Sequence, residues 1–324
     1  MNKKVKAIYC IGELLIDFVC TDKGTDLSIG ENFLKKPGGA PANVAAAAAR
    51  LGGNAHFVGA VGTDPFGNFL ADYITQFGVD TDLLQRSDRP TTLAFVALAE
   101  DGERDFVFNR GADADLQLND ELLDMINRGG LYHFGAATCF LPGALKETYR
   151  IVLDSVKDKG NFISFDPNFR DAFWAGHEKE FVAHCQPFIE KANVVKVSDE
   201  ELELLTGQKD IEQGAQQLLD KGPEVIFVTL GAKGCFVATH EEHFIVPPYQ
   251  IDVQDTTGAG DAFIGAILYQ VAVQGWHTDR EHLTSYVQFA SKVGGLVCSK
   301  LGAMTALPTL EQVNSTVFVE KTAS

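Results

Sequence analysis

The chain has 324 residues, enough for one large α/β domain or two ordinary ones, and its 45% hydrophobic and 22% charged residues exclude disorder as a starting point. Its formal charge of −17 argues against a nucleic-acid partner, whose phosphates must be neutralised by Lys and Arg, and is spread along the chain as solubility charge. No stretch approaches the ~18 uninterrupted apolar residues of a spanning helix, so no membrane partner is expected. In the opening MNKKVKAIYCIGELLIDF, Glu13 and Asp17 interrupt the apolar run and no small-residue cleavage site follows. The six cysteines (Cys10, Cys20, Cys139, Cys185, Cys235, Cys298) lack CxxC spacing and read as free thiols of a cytoplasmic protein.

In chain order, the pattern predicts a strand at Val5–Ile11, a helix at Pro41–Leu51, a strand at His56–Val61 and a helix at Gly67–Phe77. A helix at Gly143–Lys159 follows, then strands at Phe162–Phe165 and Val194–Val197, a helix at Ile211–Lys221 and a strand at Val225–Thr229. Short strands Cys235–Ala238 and Phe244–Val246 flank His240-Glu-Glu-His243, which reads as a turn because it lacks the HExxH spacing of a metal pair. A strand at Tyr249–Val253 and helices at Asp261–Gln274 and Arg280–Ser299 complete the series. Several strands show no polar alternation, as expected where helices cover both faces of a parallel sheet. The expected fold is therefore α/β, a three-layer, doubly wound, mostly parallel sheet in one domain spanning 1–324.

Two segments break the rhythm. Thr91–Leu98 and Arg104–Asn109 read as strands around the turn Glu100–Glu103, where Asp-Gly favours a hairpin, and Phe18–Lys36 lacks helical periodicity. Together they predict a small β-sheet lid, about 18–36 and 91–112, over the C-terminal edge of the main sheet, where ligands sit in open α/β folds.

Two glycine-rich stretches carry chemistry. DTTGAGDAF (Asp255–Phe263) opens an apolar helix, and the backbone N–H groups of Gly258, Ala259 and Gly260 would form an anion hole at its N-terminus. Asp261, on the first turn, is placed to accept a proton from an attacking hydroxyl; the plainer alternative is a helix cap. The second stretch, Pro37-Gly-Gly-Ala-Pro-Ala-Asn43, runs into an alanine-rich helix. Its glycines let a hydroxylated ligand touch backbone, and Asn43 offers both donor and acceptor. Asp17 would sit at the same sheet edge. There is no GxxxxGK[ST] and no GxGxxG after a strand, which excludes P-loop, dinucleotide and protein-kinase sites.

Read together, the chain resembles the ribokinase-like (PfkB) carbohydrate kinases over essentially its whole length. The resemblance is carried by GELLIDF, GGAPANVAAAAARLGG, GAVGTDPFGNFL, FNRGADADL, DPNFR, KVSDEELELLTG, VTLGAKG, DTTGAGDAFIGA and KLGAMTALP, and GELLIDF, GGAPANV and FNRGADADL are most similar to the fructokinase branch. It implies sugar binding by Asp17, Gly38, Gly39 and Asn43, with Arg110 reaching over the sugar and Asp261 as general base. It implies an ATP site formed by Arg170, Lys196, Thr229, Gly231, Gly234 and Ser291 beside the Gly258–Gly260 hole, and Mg²⁺ organised through water by Glu201. The family pattern is Asn-x-x-Glu, and Ser198 stands here in place of its Asn. Asp255 and Thr257 match a loop that in many relatives holds a monovalent cation, so the resemblance allows K⁺ there without requiring it. The implied activity is transfer of the ATP γ-phosphate to a small sugar, D-fructose first, giving fructose 6-phosphate. Alternatives are 2-keto-3-deoxygluconate, ribose or a nucleoside, and more distantly a non-catalytic sensor on the same fold. Some ribose-binding relatives carry an acidic residue where this chain has the small-residue run Phe134–Thr138. Pairing of relatives through their lids implies a homodimer.

Overall fold

The computed structural model describes residues 5–320 apart from 23 and 99–103. The described elements are, in order, β1 (Ala7–Ile11), β2 (Leu15–Cys20), β3 (Phe33–Gly38), α1 (Ala40–Arg50), β4 (Asn54–Gly62), α2 (Pro65–Thr75), β5 (Leu84–Ser87), β6 (Leu93–Leu98) and β7 (Arg104–Asn109). They continue with α3 (Asp120–Arg128), β8 (Leu131–Gly135), α4 (Ala144–Asp158), β9 (Phe162–Asp166), α5 (Asp171–Trp174), α6 (Glu178–Lys191), β10 (Val194–Ser198), α7 (Asp199–Thr206) and α8 (Ile211–Leu219). The last are β11 (Val225–Thr229), β12 (Cys235–Thr239), β13 (His243–Val246), α9 (Ala259–Gln274), α10 (Arg280–Cys298) and α11 (Leu310–Ser315).

Nine strands form the main sheet in the order β13-β12-β11-β10-β9-β8-β1-β4-β5, parallel from β11 to β5 with an antiparallel pair at the other edge. The unbroken apolar strands follow from double coverage. In β1, Ile8 and Cys10 enter one core while Tyr9 and Ile11 enter the other; Val194, Val225 and Phe227 divide from Val195, Val197, Ile226 and Val228 in the same way. The first core is filled by α1, α2, α9, α10 and α11, and the second by α3, α4, α6, α7 and α8. The expected three layers are present. The alanine run of α1 has a packing reason, because a Cβ on Gly265 of α9 would lie 2.8 Å from the Ala47 Cβ. Small residues on both helices allow that close approach.

The second sheet has the order β3-β2-β6-β7. Phe18, on the face toward α2, meets Phe66 edge-on at 5.7 Å, and the Lys35 ammonium lies 3.5 Å above the Phe69 ring. On the opposite face Phe106 and Phe108 pack on Phe173 of α5, with ring centroids 5.6 and 4.5 Å away. The strands β6 and β7 pair as expected, and the Glu100–Glu103 turn lies outside the described residues.

One expected strand is absent. Tyr249–Val253 is irregular, with a single bridge from Tyr249 to Glu320 and a Gln250 N–H to the Val319 carbonyl. Pro247 and Pro248 precede it, lack donors for a ladder, and turn the chain off the edge strand β13. The segment His240–Glu242 is a turn, closed by the Thr239 N–H to the Glu242 carbonyl at 2.9 Å, and His243 begins β13.

Candidate active site

The parallel strands β1, β9, β10 and β11 all end on one side of the sheet, and Asp166 at the end of β9 is linked through Lys196 of β10 to the first turn of α9. The loop leading into α9 is built by its own polar groups. One Asp255 oxygen accepts the Thr257 N–H at 2.9 Å and hydroxyl at 2.6 Å, and the other accepts the Gly302 N–H at 2.9 Å. Those bonds, stronger in the ionised form, hold the Asp255 carboxyl below its ordinary range against the opposing effect of burial. Gly258 has φ +76°, and a Cβ on it would lie 2.5 Å from the Ala303 Cβ, so the position requires glycine twice over. The late Gly302–Ala303 segment therefore braces the loop that leads into α9.

The Ala259 N–H turns back to the Thr256 carbonyl at 3.2 Å. Among the described residues, the N–H groups without a backbone acceptor at this terminus are those of Gly258, Gly260 and Asp261. The expected trio thus loses Ala259 and gains Asp261, because the left-handed cap tightens the first turn.

Asp261 is 8% exposed and does not cap its helix through its side chain. Its Oδ2 instead accepts from Asn43 Nδ2 at 2.8 Å, and its Oδ1 faces Asn168 Nδ2 at 3.4 Å. The structure thus joins Asn43 and Asp261, 218 positions apart, at one point. Asn43 Oδ1 is buried without a partner. An unpaired buried acceptor costs about 1–3 kcal/mol unless a ligand supplies a donor.

Asp17 and Gly38 meet across the β2–β3 pair, where a Cβ on Gly38 would lie 2.1 Å from Asp17 Oδ2. Gly39, at φ +113°, leaves space for the Glu13 carbonyl, 2.3 Å from where its Cβ would be. Burial pushes the Asp17 carboxyl up to about 6, opposed by the positive charges of Arg170 and Lys36. Arg110 is anchored rather than free: its Nε bonds Asp113 at 3.3 Å, Nη2 donates to the Thr138 carbonyl at 3.2 Å, and Nη1 donates to the Pro142 carbonyl.

Beyond Asp261, Arg170 Nη2 donates to Asn168 Oδ1 at 2.6 Å, which continues a chain from Arg170 through Asn168 to Asp261. Asn168 is the one non-glycine residue at positive φ (50°) among the described residues, a conformation Asn tolerates. Lys196 is 7% exposed, pairs with Asp166 at 3.0 Å, and lies 3.0 Å from where a Gly260 Cβ would be. Nearby Asp166 and Glu201 hold Lys196 protonated despite burial. Burial itself raises Asp166 to about 6, with Lys196 pulling the other way. Glu201 accepts the Phe169 N–H at 2.9 Å and the Ser198 N–H at 2.8 Å, and Ser198 Oγ accepts the Glu201 N–H at 3.1 Å. Ser198, the departure from the family pattern, is therefore the cap of α7 in a capping box.

Thr229 ends β11 beside Ser198 and donates to the Val197 carbonyl at 3.2 Å. Gly231 (φ 55°) and Gly234 (φ 97°) make the tight turn that follows. Ser291 lies on α10 one turn before Gly294, whose Cβ would sit 3.3 Å from the Ala259 carbonyl, so that helix abuts the phosphate loop. A surface groove of about 520 Å³ between α8 and β12–β13 contains none of these residues.

Four residues escape the sequence reading: Asn168, Glu13, Asp113 and Thr138. Asn168 lies inside DPNFR, Glu13 inside GELLIDF and Asp113 inside FNRGADADL, so those motifs could have pointed to them; Thr138 acts only through tertiary contacts.

The profile of the pfkB family carbohydrate kinases matches residues 5–310. The probable fructokinase-2 of Arabidopsis thaliana is 40% identical over 307 residues, 93% of this chain and 93% of that protein. The fructokinase of Xylella fastidiosa solved with bound ATP matches at TM-score 0.85 and 35% identity, covering 96% of this chain and 98% of that one. The Vibrio cholerae O395 fructokinase, solved in a fructose-, ADP- and calcium-bound form, matches at TM-score 0.82 and 33% identity over 96% of this chain and 98% of its own.

Proposed function

The chain belongs to the pfkB family of carbohydrate kinases, and we propose that it transfers the γ-phosphate of ATP to D-fructose, giving fructose 6-phosphate. The observation that carries this reading is the Asn43–Asp261 contact, which puts the sugar turn and the phosphate loop at one carboxylate. In this reading Asp17, the Gly38–Gly39 backbone and Asn43 hold the sugar, and Asn43 Oδ1 accepts one of its hydroxyls. Asp261 takes the proton of the attacking primary hydroxyl as its oxygen bonds to the γ-phosphorus and ADP leaves. The free N–H groups of Gly258, Gly260 and Asp261 stabilise the moving phosphoryl group. Arg170 supplies a planar cation beside it, and Lys196 fixes a positive charge under the first turn of α9. The turn Thr229–Gly234 and the α10 face around Ser291 take the nucleotide.

Mg²⁺ is part of the proposal. Glu201 fits a water-mediated role, because each of its oxygens accepts one N–H and keeps a lone pair directed elsewhere. When bound with ATP, the ion would offset charge on the phosphates. For K⁺, Asp255 Oδ1 is filled by the Thr257 N–H and hydroxyl, while Oδ2 accepts only the Gly302 N–H and keeps a lone pair that would join carbonyl oxygens of the loop around the ion. The small sheet is proposed as a lid that excludes water, and as the dimer contact, since Leu34 is 51% exposed on its edge strand β3. Six unpaired cysteines support a cytoplasmic location.

A substrate panel with coupled ADP detection tests the reading. D-fructose should give the highest kcat/KM against 2-keto-3-deoxygluconate, D-ribose and nucleosides. A clear preference for any of these, or no ADP formation with all of them, would overturn it.

A further inference from the structure

The chain passes between the core and the lid four times: at Glu13 before β2, at Ala40 after β3, at Thr92 before β6 and at Arg110–Asp113 after β7. One buried cluster touches all four crossings. Glu13, 1% exposed, accepts the Ala40 N–H through Oε1 at 2.9 Å. Asp113, also 1% exposed, accepts the Thr92 hydroxyl through Oδ1, and Arg110 Nε at 3.3 Å and the Thr138 hydroxyl at 2.9 Å through Oδ2. The Thr92 oxygen in turn accepts the Gly111 N–H at 2.9 Å. Thr138, just beyond β8, stands between the two carboxyl groups.

A proton count gives the cluster its meaning. The Thr138 hydroxyl has one proton, committed to Asp113 at the shorter distance. Its other contact, 3.4 Å to Glu13 Oε2, joins two acceptors unless Glu13 carries a proton. Neutral Glu13 donates to Thr138 and closes a chain from Glu13 through Thr138 to Asp113. The surroundings favour that state, for desolvation lifts the Glu13 carboxyl to about 7. Asp113 pushes the same way and Arg170 opposes it, while the Ala40 N–H also favours the charged form. The other facing groups, Cys139 Sγ at 3.8 Å and Tyr149 of α4, are held neutral by burial.

We propose that Glu13, Thr138 and Asp113 form a one-proton hinge that holds the lid and the sugar turn in register, with Glu13 a positioning residue acting on Gly38–Gly39 through Ala40. The inference rests on the small sheet being a lid, and not on which sugar lies beneath it. Loss of the Glu13 proton replaces a hydrogen bond with two facing acceptors and places a second buried negative charge beside Asp113. The crossings then loosen and the sugar turn loses its anchor, while the nucleotide side is untouched.

Hydrogen exchange in the ligand-free protein, corrected for the intrinsic pH dependence of exchange, tests this without any substrate. Protection in β2, β3, β6 and β7 should fall about tenfold between about pH 6 and about pH 8.5, the effect of losing one buried hydrogen bond and gaining a buried charge. In Glu13→Gln, whose amide both accepts from Ala40 and donates to Thr138, that pH dependence should vanish. Thr138→Val should lower protection at both pH values and raise the sugar KM about tenfold, with kcat and the ATP KM held within about twofold. Lid protection that ignores pH in the wild type, or the wild-type pH response persisting in Glu13→Gln, would overturn the hinge. Equal losses in sugar KM, ATP KM and kcat for Thr138→Val would also overturn it, as the mark of general damage. A failure of the fructose assignment would leave the exchange result standing.

Discussion

Replacing Glu13 by Gln should stabilise the protein by an amount that grows with pH. The folded protein holds this carboxyl up to about 7, against an ordinary value of 4.5. Below both values Glu13 is protonated in either state and exerts no penalty. As pH rises past the lower one, the unfolded chain sheds the proton first, so folded stability declines until the folded pKa is passed and then levels off. At about 1.4 kcal/mol per pH unit, the full penalty is about 3 kcal/mol at high pH, and a little over 1 kcal/mol of it is present at about pH 5.5. Glutamine keeps the shape and the Ala40 contact and does not titrate. The stability difference between variant and wild type should therefore widen by about 2 kcal/mol between about pH 5.5 and about pH 8.5. Urea unfolding at half-unit steps measures it, and taking the difference between the two proteins cancels every other titrating group. The lower limit stays clear of the pI of 4.8, where charge repulsion no longer keeps the protein soluble. A difference that stays flat across the range would refute the account of a buried, neutral Glu13.

Three further outcomes follow from the same geometry. Gly258→Ala puts a Cβ against Ala303 at a left-handed position, and should cost about 2–4 kcal/mol in unfolding and lower kcat by about a hundredfold as the loop shifts. Because Asp17 is held up to about 6, the sugar KM should rise as pH falls below that value, where the carboxylate that accepts sugar hydroxyls becomes protonated; a KM constant from about pH 5 to about pH 8 would remove Asp17 from the sugar site. Light scattering at micromolar protein should report a dimer, and Leu34→Asp should shift it to monomer; a wild-type monomer would dismiss the lid contact.

The main sheet was legible where both faces of a strand are buried. The runs at β9, β10 and β11 are mainly β-branched and aromatic, with Ser164 and Lys196 as the interior polar exceptions, and their bounds match the expected strands to within a residue. Strand β8 was missed because it is short, follows Gly129-Gly130 and carries a polar residue in the core: His133, bonded to Ser164 at 3.1 Å and pushed down to about 3 by burial. Strand β5, LQRS, sits at an edge and shows no apolar pattern. The apolar look of Tyr249–Val253 misled because its residues cover the end of α10, where Ile251 reaches Gly295, and do not extend the sheet.

In the candidate site, the glycines were legible because backbone that must approach a ligand or a carboxylate closely excludes other residues. Gly38 has that close approach to the Asp17 carboxylate, and Gly258 a comparable one to the Ala303 side chain. Arg110 and its ion-pair partner Asp113 share the stretch FNRGADADL, while the Thr138 and Pro142 carbonyls that also hold Arg110 are brought to it by folding and share no local motif with it. The hinge was illegible for the same reason. Glu13 and Thr138 are 125 positions apart, and nothing local in either stretch marks them as partners.

The central claim is that Asp261 is the catalytic base, held between the sugar turn and the phosphate loop. Asp261→Asn preserves its volume and keeps polar contacts available to Asn43 and Asn168, so the unfolding midpoint should change little. Turnover with D-fructose and saturating ATP should fall by about 10²–10⁴. Near-wild-type kcat in that variant would contradict the account.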